Sequence, residues 1–180
     1  MAEVTILNSS VMYENRWMTV REDKIRRADG SDGIYGIVDK PDFVLIIPLE
    51  EHHVHLVEQF RYPVGGRYLE FPQGSWETQR TADPLLIAAG ELREETGLIA
   101  DQMDYLGHVF TAYGYSTQGM HVFVARGLHS GAPERSNEEQ DLISRRYSLN
   151  EFESMLRAGR IKDASTLAAW TLLSLSHVNT

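Results

Sequence analysis

The segment Glu91-Leu92-Arg93-Glu94-Glu95-Thr96-Gly97 gathers three carboxylates into one short stretch. Its surroundings read as a helix. Asp83 suits the N-cap and Pro84 the first helical position. Leu85, Ala88, Ala89 and Leu92 form an apolar stripe, and Gly97 supplies the C-terminal stop. The acids therefore fall at the end of the helix where main-chain carbonyls already carry partial negative charge, which disfavours each by about 0.3–1 kcal/mol. Glu91 and Glu95 also repel as like charges four residues apart. At about 100° per residue, Glu91, Glu94 and Glu95 share one arc beside the apolar stripe. Two readings are open: a hard divalent cation such as Mg²⁺ binds the carboxylate oxygens, or the helix end is solvated and Arg93 and Arg80 neutralise part of its charge.

Strands must position this helix. Trp17 to Arg26 reads as extended and is closed by the turn signals of Ala28 to Gly33. Ile34 to Val38 is a short apolar alternation. Phe43 to Ile47 is a continuous apolar run, as expected of a strand buried on both faces. After a turn at Glu50-Glu51, His52 to Phe60 completes a hairpin, and Tyr68 to Phe71 is a short strand ended by Pro72. Beyond the helix, strands are expected near Tyr105 to Thr111 and Gly119 to Ala125, a loop over Gly127 to Glu138, and a strand over Leu142 to Tyr147. The S-x-x-E pattern from Ser148 to Glu151 is a capping box that starts a helix running to about Ala158. Thr166 to Ser176 is a last helix. The pattern is α+β, a mixed sheet flanked by three helices in an α/β/α sandwich.

Composition narrows the function classes. The chain has 180 residues, with 17 Lys+Arg against 26 Asp+Glu and a formal net charge of -9. Such an acidic chain repels phosphate backbones and anionic lipid, so a nucleic-acid polymer and a membrane surface are poor partners. Cysteine is absent, which removes disulfides, thiolate metal sites and a Cys nucleophile. Met1 to Val11 shows no basic start and no long apolar stretch, and no run approaches the roughly 20 apolar residues of a membrane span. A cytoplasmic protein is expected. His52, His53 and His55 invite a zinc reading, since His53 and His55 would share a strand face, but a third ligand at a persuasive spacing is lacking. His108 and His121 have no partner visible in sequence.

The context of the acidic helix end is more specific. Leu69-Glu70-Phe71-Pro72-Gln73-Gly74 precedes the helix, and Gly74, Glu91, Leu92, Glu94, Glu95, Gly97 and Leu98 match positions of the Nudix box. The sequence thus resembles the Nudix hydrolase family. Glu58-Gln59-Phe60-Arg61-Tyr62 ahead of the box and Gly159 to Leu167 near the end are similar to its ADP-ribose pyrophosphatase branch, so the likeness covers nearly the whole chain. The box departs from the pattern in two ways. Its Gly74-to-Gly97 spacing is two positions long, which an insertion before Pro84 accommodates. Ala82 and Gly90 stand where the family has a Glu and an Arg that form a structural ion pair.

The resemblance implies Mg²⁺-dependent (or Mn²⁺-dependent) hydrolysis of a nucleoside diphosphate linked to another moiety, ADP-ribose or a related nucleotide sugar first, yielding a nucleoside monophosphate and a sugar phosphate. It implies Glu91 and Glu95 as principal metal ligands, Glu94 as supporting ligand and catalytic residue, and the main-chain carbonyl of Gln73 completing the set. A general base from the loop after the box is implied, with Glu138, Glu139 and Asp141 as candidates and Glu139 favoured. Arg61 is placed to contact a phosphate or the terminal ribose, and Glu70 to hold Arg61 or approach the site. Tyr113 replaces a Pro common in the branch. Tyr115 lies where a Tyr is associated with diadenosine polyphosphate hydrolases, which makes dinucleoside polyphosphates the next substrate class. A non-catalytic nucleotide-binding module on the same fold is the rival reading, and Ala82 and Gly90 favour it. The resemblance further implies a homodimer, with residues 1–40 as an N-terminal β extension that helps to form each site and residues 41–180 as the hydrolase domain. Trp17 and Tyr35 in those strands are candidates to stack a base, or else core or dimer contacts.

Overall fold

The computed structural model describes residues 3–76, 82–131 and 141–176. Three strands open the chain: β1 (Val4–Glu14), β2 (Thr19–Arg27) and β3 (Asp32–Asp39). They form an antiparallel meander of their own. β3 joins the rest through Val38, whose N–H donates to the Tyr115 carbonyl at 2.7 Å and whose carbonyl accepts from Thr117 N–H at 3.1 Å.

The main sheet is built from β4 (Phe43–Glu50), β5 (His53–Arg61), β6 (Gly66–Glu70), the two-residue β7 (Gln73–Gly74), β8 (Leu98–Phe110), β9 (Gly119–Ser130) and β10 (Ile143–Ser148). Its order is β10-β5-β4-β9-β8, with β6 paired to β5 and β7 to β4. β4 and β9 run parallel, and the other described pairs are antiparallel. The helices are α1 (Pro84–Thr96), α2 (Leu149–Arg157) and α3 (Ala164–Leu175).

Alternation along β4 divides the core. Leu45 and Ile47 point into a cluster with Phe71, Phe152, Met155, Ala169 and Leu173, under α2 and α3. Val44 and Ile46 point into a cluster with Ile87, Ala88 and Leu92 of α1. A strand with apolar neighbours on both faces cannot alternate in polarity, which is why Phe43 to Ile47 reads as one apolar run. The expected sandwich of helices around a mixed sheet is the observed one. The expected caps are also present: Asp83 Oδ1 accepts from Leu85 N–H at 2.9 Å, and Ser148 and Glu151 form the reciprocal capping box. Gly97 takes the left-handed conformation, φ 70°, that ends α1.

Three expectations change. β1 was not read as a strand; all of its residues are exposed, so neither face carries a burial pattern. β8 begins directly after α1 rather than near Tyr105. The expected loop at Gly127 to Glu138 is strand as far as Ser130, because Leu98, Ile99 and Ala100 continue the ladder against Ser130, His129 and Leu128. No helix among the described residues is long and apolar enough to cross a membrane.

Candidate active site

α1 carries the carboxylates into the interior. Glu91 and Glu95 are only 4% and 2% exposed, while Glu94 beside them is half-buried. Two adjoining residues of β7 meet them. Gln73 N–H donates to Glu95 Oε2 at 3.1 Å. Gly74 lies against the Glu91 carboxylate so closely that a Cβ at this position would run into it. Both acids are thus folded inward against β7 and do not form a solvated helix end. A set of carboxylate oxygens at a bare-backbone glycine fits a hard, oxygen-seeking divalent cation.

Beside β7 opens a cavity of about 780 Å³, lined among others by Arg61, Glu70, Gln73, Gly74, Lys162 and Asp163. Glu70 is 2% exposed and accepts from Arg61 Nε at 3.1 Å, Arg61 Nη2 at 2.5 Å and Gln59 Nε2 at 2.7 Å. This two-pronged pairing fixes the guanidinium plane at the cavity wall. Burial pushes the Glu70 pKa above its ordinary value, and Arg61 opposes the shift.

Asp163 caps α3, accepting from Thr166 N–H at 2.8 Å and from Thr166 Oγ1 at 2.8 Å. Thr166 Oγ1 in turn accepts from Phe71 N–H at 2.9 Å, and Gln73 Nε2 donates to Asp163 Oδ2 at 3.4 Å. The start of α3 therefore holds the 71–74 segment in place from the side opposite α1. Sequence reasoning gave no role to Lys162 or Asp163; its signal there was only the likeness of Gly159 to Leu167.

Other expected residues are dispersed. Glu138 and Glu139 lie outside the described residues. Asp141 is exposed and paired with Arg67 at 2.8 Å. Tyr115 does not line the cavity; its side chain is exposed and its backbone is joined to Val38. Trp17, in the turn between β1 and β2 rather than in a strand, and Tyr35 of β3 are both exposed. Among the hairpin histidines, His53 Nδ1 sits 3.0 Å from Arg146 Nη2 and His55 Nε2 sits 3.7 Å from Glu50. His108 and His121 meet each other and Asp42. Burial, with His108 beside it, holds the His121 pKa below its ordinary value, and Asp42 opposes this.

The replacements at Ala82 and Gly90 have a packing counterpart. Trp76 and Ala82 both pack against the α1 side of the core. The Trp76 indole occupies the space above Gly90, where a Cβ would come within 2.5 Å of Cζ2. An apolar contact stands in the region where the family pattern has an ion pair, an exchange that is often neutral or stabilising.

Comparison with known proteins gives the same assignment. Residues 39–170 match the model of the NUDIX domain, and residues 4–38 match the nucleoside diphosphate sugar hydrolase N-terminal domain. The chain is 29% identical over 177 residues to the methanol dehydrogenase activator of Bacillus methanolicus, covering 96% of this chain and 94% of that one. It is 29% identical over 164 residues to the ADP-ribose pyrophosphatase of Mycobacterium tuberculosis, covering 90% and 79%. The crystal structure of an ADP compounds hydrolase shares the fold with a TM-score of 0.85 at 22% identity, covering 97% of this chain and 94% of that one. With the NUDIX domain model matched over most of its length, the chain belongs to the Nudix hydrolase family.

Proposed function

We propose that this protein hydrolyses the pyrophosphate of ADP-ribose or a related nucleotide sugar, with Mg²⁺ or Mn²⁺, to a nucleoside monophosphate and a sugar phosphate. The observation that carries the reading is the burial of Glu91 and Glu95 against Gln73 and Gly74, which themselves line a cavity that also presents Arg61 and Lys162. Glu91, Glu94, Glu95 and the Gln73 carbonyl would hold the metal. Once bound, it would neutralise diphosphate charge and lower the pKa of an attacking water.

The chain's own groups supply the rest. Arg61, oriented by Glu70, and Lys162 bind phosphate oxygens by charge. The proton of the attacking water goes to a carboxylate of the segment after β9, Glu139 by preference. The proposal includes a homodimer, supported by the exposed apolar side chains of the N-terminal sheet, and a cytoplasmic setting.

The test is turnover of ADP-ribose, a GDP-sugar and a dinucleoside polyphosphate with Mg²⁺, scored by product. Adenosine monophosphate and ribose 5-phosphate from ADP-ribose are expected. Glu95→Gln should lower turnover at least about 100-fold, since metal-borne charge stabilisation is worth several kcal/mol. Full activity in Glu95→Gln sinks the mechanism, and nucleotide binding without turnover of any substrate transfers the case to a binding module.

A further inference from the structure

Away from the helix carboxylates, the start of β4 and the β8–β9 hairpin bring three ligand-type side chains together. Asp42 Oδ2 lies 2.9 Å from His108 Nε2 and 3.5 Å from His121 Nε2. One ligand atom from each of the three residues falls within 4.8 Å of the others. We propose that Asp42, His108 and His121 form a second metal site, specific for a divalent transition ion and best suited to Zn²⁺. This site is independent of the nucleotide reading above.

Local structure builds the site on purpose-like constraints. His108 and His121 are direct cross-strand partners, so their side chains share a face. Between Tyr105 and Gly107 the register slips by one residue, and Gly107 has φ 147°. This bulge puts Tyr105 and His108, three positions apart, on the same side of β8, flanking His121. The Tyr105 hydroxyl lies 3.2 Å from His121 Nδ1. With Nδ1–H donating to that oxygen, Nε2 keeps the lone pair that a metal requires.

Asp42 is oriented in the same way. Its Oδ1 accepts from Gly119 N–H at 2.7 Å, which leaves Oδ2 facing the two imidazoles. Gly119 is also the residue that makes room for His108, because a Cβ there would collide with Nε2. The two oxygen–nitrogen separations bracket the edge of a zinc tetrahedron, about 3.3 Å for bonds of about 2.0–2.1 Å.

The donor set decides the ion. Two neutral imidazoles and one carboxylate suit zinc and its transition-metal neighbours, whereas Mg²⁺ takes oxygen. Three protein ligands leave a coordination position for water. His121 and Asp42 also line a cavity of about 300 Å³ with Lys40, Ala82, Pro84 and Ile87 that has space for it. Val44 pairs with Gly74 on one side and His121 on the other. Two interstrand steps, about 10 Å, therefore separate this cluster from the Glu91–Gly74 contact.

The experiment uses tag-free protein in excess Mg²⁺, titrated with Co²⁺ and followed by visible absorption, then displaced with Zn²⁺. One equivalent of Co²⁺ with the enhanced absorption of a low-coordinate site is expected. Both His108→Ala and His121→Ala should weaken it more than about 10-fold, since changing a group that merely orients a ligand already costs about 10–100-fold. Glu95→Gln should leave the signal unchanged. Asp42→Asn, which keeps shape, replaces either alanine variant that loses its native circular dichroism. Absorption no stronger than that of aqueous Co²⁺ overturns the proposal. So does a signal that survives in the histidine variants, or one that vanishes in Glu95→Gln and so locates the ion at the helix carboxylates.

Discussion

The indole of Trp76 sits directly on the backbone of Gly90, in the middle of α1, where any Cβ would come within 2.5 Å of Cζ2. In an open helix, Gly90→Ala gains about 1 kcal/mol. Here it is expected to cost about 1–3 kcal/mol by overpacking. Trp76→Ala should restore the gain, so that Gly90→Ala stabilises in that background and destabilises in the wild type. Urea denaturation of the two single variants and the double variant measures this coupling; additive effects would refute the contact.

Gly74 makes a prediction of a different kind. A methyl group there displaces the Glu91 carboxylate while leaving the core clusters untouched. A shift of about 1 Å in a reacting constellation costs on the order of 100-fold. Gly74→Ala should therefore lose turnover on ADP-ribose by about that factor with native circular dichroism. Unchanged kcat would show that the position of Glu91 is immaterial.

Glu70 gives stability a pH dependence with a definite sign. Burial raises its pKa above 4.5 in the folded chain, and Arg61 opposes only in part. The folded state then binds this proton more tightly than the unfolded one. The group's contribution to stability falls as pH rises from 4.5 through the folded value, and levels off above it. Glu70→Gln lacks this loss, so its stability relative to wild type should increase with pH across that window. Urea titrations at a series of pH values test the slope, and a flat or opposite difference contradicts it.

The N-terminal sheet presents Ile6, Val11 and Met12 to solvent. Exposed apolar side chains gathered on one element mark a candidate contact surface, and the proposed homodimer would cover it. Sedimentation should find a dimer for the wild type and a monomer for a Met12→Asp, Val11→Asp double variant. A wild type that is monomeric at every concentration removes the dimer from the proposal.

Much of this architecture was legible because it rests on local chemistry. Asp83, Gly97, Ser148 and Glu151 satisfy the orphan groups of helix ends, and each is read from its neighbours alone. β4 announces its two-faced burial by composition. β1 gave no such signal, since a strand exposed on both sides has no polarity pattern to follow. In the site, Glu91 and Glu95 stood out because they violate local electrostatics, a violation that only a tertiary partner removes. Asp42, His108 and His121 obey local rules individually. Their meeting depends on the parallel β4–β9 pairing and on the bulge before Gly107, neither of which is written within any one segment. The Trp76–Gly90 contact was hidden likewise: the glycine looked like a defect until the indole packed on it was known.

That parallel pairing also governs the order of assembly. β4 lies at the centre of the sheet, yet Phe43 to Pro48 receive their partners Met120 to Ala125 only much later in synthesis. At about 5–20 residues per second the delay is roughly 4–15 s. During it the apolar run of β4 has β5 and β7 on one edge and bare backbone on the other. Ribosomal pausing or truncation before Gly119 would leave that edge free to pair with other nascent chains. The strand at the centre of the sheet is thus also the one whose open edge a chaperone would have to cover while the chain is being made.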